Sequence, residues 1–153
     1  MIFLSGPASN PISLAFNSGL TGELEKAGFA VFLPQRDSIN PKKPPYSEMT
    51  RQERSQVIFE KFCDLIFACD VFLFIIDRRV PEEGQIFNLG MAYAHRLATG
   101  CNRLIIGFQT DGSLFLGAKL HPTLNISLDQ IVGNRKELIE VLVNHKNGMP
   151  NRL

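Results

Sequence analysis

The stretch that decides the fold runs from residue 70 to residue 94. It reads DVFLFIID (70–77), RRVPEEG (78–84) and QIFNLGMAYA (85–94). The first part contains an unbroken apolar run, which is typical of a strand covered on both faces. The second part is an acidic loop, and the third has the apolar spacing of a helix. A buried strand that passes through a loop into a helix predicts one unit of a parallel α/β sheet.

The same alternation of strands and helices continues on both sides of this stretch. Asn10 followed by Pro11 predicts the start of one helix, and Thr50 with Glu53 has the pattern of a capping box before another. Strands are predicted at residues 2–4, 29–33, 71–76 and 103–108, and helices from about residues 11, 51, 84, 122 and 135, with an extended piece before residue 132.

Strands and helices at these spacings call for right-handed βαβ crossovers. We therefore expect a flavodoxin-like three-layer αβα sandwich with an open, mostly parallel sheet of about five strands. Residues 1–146 are expected to form a single domain and residues 147–153 a flexible tail. The stretch 34–47 contains four prolines and is expected to be irregular.

Apolar spacing also assigns an inward face to each helix. Small residues at Gly84, Gly90 and Ala94 are expected to let their helix approach the sheet closely. The other residues expected to face inward are Ile12, Phe16, Leu20 and Leu24 in the first helix, Ile58, Phe62, Leu65, Ile66 and Cys69 near residue 60, and Leu138, Ile139, Leu142 and Val143 in the last helix.

Composition narrows the possible function classes. A formal net charge of +1 argues against a nucleic-acid partner, because phosphate binding needs concentrated Lys and Arg. An odd number of cysteines without metal-ligand spacing suits a reducing compartment. We find no signal peptide and no apolar run near the ~20 residues of a membrane span, so we expect a cytoplasmic protein without a membrane partner.

The topology predicts where a ligand would bind. In an open parallel sheet, ligands bind outside the carboxyl ends of the strands, near the topological switch point. This rule selects the loops at residues 5–10, 34–47 and 77–84. The first loop, SGPASN, is neither GxGxxG nor a P-loop, so no nucleotide cofactor is expected. The three histidines are scattered along the chain, and no metal site is expected.

The acidic loop supplies candidate catalytic residues. Asp77, Glu82 and Glu83 place three carboxylates within seven residues, before a helix start. One interpretation is that Glu82 and Glu83 only stabilise the helix N-terminus. That interpretation explains less well why Asp77 directly ends an apolar strand, so a ligand site remains the alternative.

Several motifs of this sequence resemble those of a known family. VPEEG (80–84) followed by NLGMAYA (88–94) is similar to the signature of the nucleoside 2-deoxyribosyltransferase family. The start IFLSGP (2–7), the strand end FLPQRD (32–37) and LHPT (120–123) agree with it in order and spacing. The resemblance covers nearly the whole chain.

The resemblance implies a function and a set of site residues. The family transfers a 2-deoxyribosyl group between nucleobases, or hydrolyses the N-glycosidic bond in related branches, through a glycosyl ester on a glutamate. That glutamate falls on Asn88, and the acidic residue that helps to protonate the leaving base falls on Glu82. The resemblance places the remaining ligand-binding positions at Ser5, Gly6, Pro7, Asp37, Glu83, Gly84 and His121.

Two more family positions are changed in this sequence. An aspartate that faces the family's site falls on Phe62, and an asparagine often supplied by a neighbouring subunit falls on His121. Because the family usually assembles with shared sites, a homo-oligomer is expected.

Three functions stay open. The first is an enzyme that acts on a nucleoside or nucleotide through Glu82, Glu83 or Asp77, with one of them activating water. The second is a catalytically inactive protein that binds or senses such a ligand. The third is a structural homologue that works through protein contacts. Basic residues near the loops would suit a phosphate or a solvated surface equally: Arg36, Lys42, Lys43, Arg78 and Arg79.

Overall fold

A computed structural model describes residues 1–77, 81–110 and 120–148. Arg78, Arg79, most of the loop between residues 109 and 120, and the last five residues of the expected tail lie outside the described residues. The strands are β1 (Ile2–Ser5), β2 (Val31–Phe32), β3 (Val71–Ile76), β4 (Leu104–Gln109) and β5 (Gln130–Val132). The helices are α1 (Pro11–Lys26), α2 (Pro34–Asp37), α3 (Arg51–Ala68), α4 (Glu83–Thr99), α5 (Pro122–Ser127) and α6 (Arg135–Lys146).

The five strands form one sheet in the order β2-β1-β3-β4-β5, and every pairing is parallel. This is the flavodoxin-like order, so the predicted fold class is confirmed. The order reverses at β1 and β3, whose registers match Ile2 with Val71 and Ser5 with Phe74. The carboxyl ends of these two strands therefore lie side by side, where the predicted ligand loops begin.

Two apolar layers cover the sheet. Leu20 and Leu24 of α1 pack with Leu138 of α6 on one face. Ile66 of α3 and Leu89 of α4 pack on the other face. Successive strand residues point alternately into the two layers. Ile2, Leu4, Leu73 and Ile75 face the first layer, and Phe3, Phe72 and Phe74 face the second.

Both predicted helix caps are confirmed. Asn10 Oδ1 accepts a hydrogen bond of 2.9 Å from Ser13 N, and Thr50 and Glu53 form the reciprocal capping box. These bonds satisfy amide groups that the first turn of a helix leaves without partners. The starts of α1 and α3 are therefore predictable from the local sequence.

Some predicted faces are wrong. Ile12 is 82% exposed and Val143 is 39% exposed, whereas Val141 is buried. The buried side of α1 instead carries small polar residues. A Cβ added at Gly84 or Gly90 would meet nothing within 4 Å, and Ala94 is exposed. The expected close approach of α4 through its small residues therefore does not occur, because this face points away from the sheet.

The stretch 34–47 is less irregular than predicted. It begins with α2, in which Pro34 occupies the first turn. Proline is favoured there because the first turn requires no amide hydrogen. A short 3₁₀ helix, Tyr46–Glu48, then precedes α3.

Candidate functional site

The loop after β1 and the start of α4 meet at the carboxyl edge of the sheet through Glu82. The Glu82 carboxylate accepts hydrogen bonds from Ala8 N at 3.1 Å and from Ser9 N at 3.0 Å. Hydrogen bonds to a charged acceptor are stronger than neutral ones. Glu82 therefore ties together two of the three loops that the topology selects, and much of its acceptor capacity is used by main-chain amides.

Gln85 completes this connection from the first turn of α4. Its side chain is 5% exposed, and its Nε2 donates to Ser5 O at 3.2 Å and to Ile75 O at 3.4 Å. Its Oε1 accepts from Glu82 N at 3.1 Å. Gln85 thereby joins the ends of β1 and β3 to α4. Gln85 is absent from the predicted site residues, although a Gln three residues after a helix start is a capping signal.

Asn17, a buried residue of α1, holds the first loop in place. No sequence pattern predicted this role. Its Nδ2 donates to Pro7 O at 2.9 Å and to Gln35 Oε1 at 3.3 Å. A Cβ added at Gly6 would lie 2.4 Å from Asn17 Oδ1. With the Asn17 side chain in place, position 6 therefore requires a glycine. The requirement comes from this close approach.

Asp37 lies at the rim and is held by structural contacts. Its carboxylate accepts from Leu33 N at 2.8 Å and forms a two-point ion pair with Arg36 at 2.7 and 2.9 Å. Burial acts to raise the pKa of Asp37, but the hydrogen bonds from Arg36 and Leu33 outweigh it and hold this pKa below its ordinary value. The Asp37 carboxylate is therefore engaged by contacts within and next to α2. Because Arg36 also forms an ion pair with Glu25, it adds little free positive charge to the rim.

Asn88 lies one turn after Gln85 on α4 and is half-buried. Within the described residues, its side-chain amide forms no hydrogen bond. Asp77, directly after β3, is also half-buried, whereas Glu83 and Gly84 are exposed in the first turn of α4. The edge thus presents an amide with spare donors and acceptors next to residues of the acidic loop.

Two other family positions have contacts of their own. His121 is exposed, and its Nδ1 accepts from Thr123 N at 3.3 Å as the cap of α5. Phe62 packs edge-on against Phe3 and Phe32, with ring centroids 5.9 Å apart in each pair. Phe62 is therefore a core residue of the second apolar layer.

Metal-binding clusters and membrane-spanning helices are both absent from the described residues. No group of three or more His, Cys, Asp or Glu side chains is arranged to hold a metal ion in these parts of the chain. A bilayer-crossing helix is also not found in them, since none combines the necessary length with sufficient hydropathy.

Comparison with known proteins identifies the family. A profile of the family described as nucleoside 2-deoxyribosyltransferase matches residues 2–149. Among solved structures, the chain is similar to a 2-deoxyribosyltransferase from the psychrotolerant bacterium Bacillus psychrosaccharolyticus, with a TM-score of 0.72, 20% identity and coverage of 90% of this chain and 89% of that one. A search of curated proteins finds no match. At 20% identity the structural likeness supports the fold, and the profile covers nearly the whole sequence. This chain therefore belongs to the nucleoside 2-deoxyribosyltransferase family.

Proposed function

We propose that this protein binds a nucleoside or nucleotide at the carboxyl edge of its sheet and does not perform the family's double displacement. The observation that carries the proposal is Asn88: a half-buried amide without a hydrogen-bond partner in the described residues, at the position where the resemblance places the family's nucleophile. The first loop, Asp77 and the start of α4 surround this edge. Ser5, Gly6 and Pro7 would flank the sugar, and His121 would contribute only if a neighbouring copy brings it to the site.

The chemistry of an amide supports binding more than catalysis. A neutral amide does not form the glycosyl ester, and it offers no negative charge to an oxocarbenium-like transition state. It does supply two donors and one acceptor, which suit a sugar hydroxyl or the edge of a base. Glu82 supports the same conclusion, because its carboxylate is already engaged by Ala8 N and Ser9 N.

Hydrolysis is the second candidate, and the position of Asp77 favours it. Asp77 is half-buried directly after β3, where ligands of parallel sheets bind. In this reaction Asp77 takes a proton from water, the water oxygen bonds to the anomeric carbon, and the bond to the base breaks. The departing base takes a proton from an acid or from solvent. This route needs no covalent intermediate and therefore no glutamate at position 88.

A panel of deoxynucleosides, ribonucleosides and their 5′-phosphates tests these functions. Thermal stabilisation measures binding, and chromatography measures free base. We expect stabilisation without base release, and weaker binding by Asn88→Ala. Base release by the wild type, abolished in Asp77→Asn, would replace binding with hydrolysis. Absence of any stabilisation or release would contradict both. A gain from 5′-phosphates that Lys42→Gln and Lys43→Gln remove would identify a nucleotide.

Asn88→Glu asks whether the rest of the family's site is intact. If the loops still position a deoxynucleoside, the new carboxylate should give base release or a glycosyl adduct detectable by mass spectrometry. Asn88→Gln is the matched control, because it lengthens the side chain without adding a charge. Equal inactivity of both variants would show that Phe62, or another change, has also altered the site.

A homo-oligomer is part of the proposal, and the outer face of α3 and α4 is the surface that supports it. Phe59 and Phe87 are 46% and 55% exposed, and their rings lie 6.1 Å apart. Gly90 and Ala94 continue this face without bulky side chains. Phe87→Ser should lower the mass measured by light scattering, whereas Ile12→Ser, which removes an isolated exposed side chain, should not. Unchanged assembly in Phe87→Ser would exclude this surface.

The compartment remains an expectation within the same proposal. All three cysteines carry free thiols, which suits the reducing cytoplasm.

A further inference from the structure

A second concave region lies at the amino edge of the sheet, opposite the candidate site. A cavity of about 730 Å³ is bordered by the first residues of β1 and β3, the end of α3 and the end of α6. This volume is in the range of sites that hold small organic ligands. The side chains that matter to its chemistry are Phe29, Phe67, Cys101, Arg103, His145 and Lys146.

Arg103 is the main electrostatic feature of this cavity. It is 4% exposed. Its Nε donates to Cys69 O at 3.0 Å, and its Nη2 donates to Phe67 O at 2.6 Å. Its Nη1 donates to Ala92 O at 3.1 Å and lies 3.3 Å from His95 Nδ1. Arg103 also hydrogen bonds with the Cys69 side chain. The protein therefore engages its five N–H groups, and Arg103 acts on the cavity through its charge.

The charge of Arg103 is only partly balanced. No carboxylate forms an ion pair with it in the parts of the chain that the structure describes. Its partners at the end of α3 are carbonyl groups, and a helix end carries only about half a negative charge. A buried cation without a full counter-charge is costly, so a ligand anion would lower the free energy of this region.

The remaining lining adds positive charge and apolar surface. Lys146 Nζ lies 5.7 Å from the centre of the Phe29 ring. Asp70 is the carboxylate of the lining, and it is paired with the amino group of Met1. Two side-chain cations therefore face one carboxylate that already has a partner. Phe29, Phe67 and Leu142 supply apolar contacts beside these charges.

We propose that this cavity binds a small organic anion with an aromatic or aliphatic body, whose acidic group lies between Arg103 and Lys146. The body packs against Phe29 and Phe67. This site is separate from the candidate nucleoside site, because it uses the amino ends of the strands. It does not depend on the function proposed above.

Calorimetry with matched probes tests the charge requirement. The probes are 2-naphthoate, which carries a carboxylate, and 2-naphthalenemethanol, which has the same rings without a charge. We expect 2-naphthoate to bind at least about tenfold more tightly. Lys146→Gln should weaken 2-naphthoate about fivefold, whereas Lys136→Gln, on the exposed first turn of the same helix, should not. Equal affinity for both probes, or equal effects of both variants, would overturn the proposal.

Cysteine footprinting on the unmodified chain tests the location without depending on a variant. Cys101 lines the cavity, and hydrogen bonding with the Thr99 side chain lowers the pKa of its thiol, so it should react readily with iodoacetamide. Cys63 lies elsewhere, with its Sγ 3.8 Å from Met91 Sδ, and serves as an internal control. 2-Naphthoate should slow alkylation of Cys101 and leave Cys63 unchanged. Equal slowing of both, or of neither, would place the probe outside the cavity.

Discussion

The two edges of the parallel sheet hold opposite charges for the same physical reason. Helices begin at the carboxyl edge and offer amide groups, whereas helices end at the amino edge and offer carbonyl groups. Glu82 accepts from Ala8 N and Ser9 N, in the loop that leads into α1, at the first edge. Arg103 donates to Phe67 O and Cys69 O at the second. The main chain thus selects the sign of the charged side chain at each edge.

The two edges differ in what these charges leave for a ligand. Glu82 connects two loops that would otherwise be separate, so its role at the carboxyl edge is first structural. Arg103 has carbonyl groups but no carboxylate as partners in the described residues, and it borders a cavity of about 730 Å³. A charge held mainly by main-chain groups, with no opposite charge beside it, is therefore the feature that distinguishes the amino edge.

Loss of Arg103 should have the largest effect. Arg103→Met removes donors from three buried carbonyl groups, which we expect to lower the free energy of unfolding by about 3 kcal/mol or more. Urea denaturation measures the change. Lys136→Met is the control, because Lys136 is exposed on α6 and should change stability little. Similar changes in the free energy of unfolding for both variants would show that the hydrogen bonds of Arg103 do not stabilise the amino edge.

Filling the space at Gly6 should have the next largest effect. In Gly6→Ala, the added Cβ meets Asn17 Oδ1 at 2.4 Å, and the strain should cost about 2 kcal/mol. Asn17→Ala alone loses the hydrogen bond to Pro7 O, but it also removes the obstacle. The double variant should therefore be more stable than the sum of the single changes predicts. Simple additivity in urea denaturation would show that the two residues do not compete for this space.

Neutralising Glu82 should cost less, about 1 kcal/mol, because Glu82→Gln keeps an acceptor oxygen for Ala8 N and Ser9 N. Glu83→Gln is the matched control, since it removes the same charge from the same helix start. Hydrogen exchange should show faster exchange at the amides of Ala8 and Ser9 only in Glu82→Gln. Equal exchange in both variants would mean that Glu82 acts only through the helix dipole.

Asp37 should show the smallest effect, through the pH dependence of stability. Burial acts to raise the pKa of Asp37, but the hydrogen bonds from Arg36 and Leu33 lower it overall from 3.8. A lowered pKa in the folded state gives stability that is present above the unfolded value and is lost as pH falls through the folded value. Thermal melts of the wild type should therefore decline below about pH 4.

The variant Asp37→Asn should flatten this decline by about 0.5 kcal/mol, a small value because the ion pair is partly exposed. Asp64→Asn, on the exposed side of α3, is the control for a general charge effect. If Asp64→Asn reduces the loss of stability at low pH as much as Asp37→Asn does, the lowered pKa of Asp37 is not the cause of that loss.

Local sequence signals were sufficient for much of the fold. Thr50 and Glu53 predicted the start of α3, and the apolar run before Asp77 predicted a strand buried on both faces. The order of strands and helices then fixed the parallel topology, because crossovers are right-handed. These predictions succeeded because each rests on residues close together in the chain.

The wrong and missing predictions depend on distant contacts. The prediction for Ile12 is wrong because apolar spacing does not reveal that α1 buries polar Asn17 beneath the first loop. Gln85 was missed because its acceptors, Ser5 O and Ile75 O, come from two other elements. The burial of Arg103 likewise depends on carbonyl groups of α3 and α4. The resemblance to the family located the candidate site, but it did not reveal which side chains the fold had already engaged.

The bond between Ala8 and Glu82 joins residues that are 74 positions apart. During synthesis, β1, α1 and β2 leave the ribosome well before residue 82. Over that interval, the first loop has neither its carboxylate partner nor the third strand beside β1. This edge of the sheet is therefore assembled by closure of a long chain segment, and such long-range contacts form slowly. A chain truncated before Glu82 would retain the first loop without the group that holds it in place.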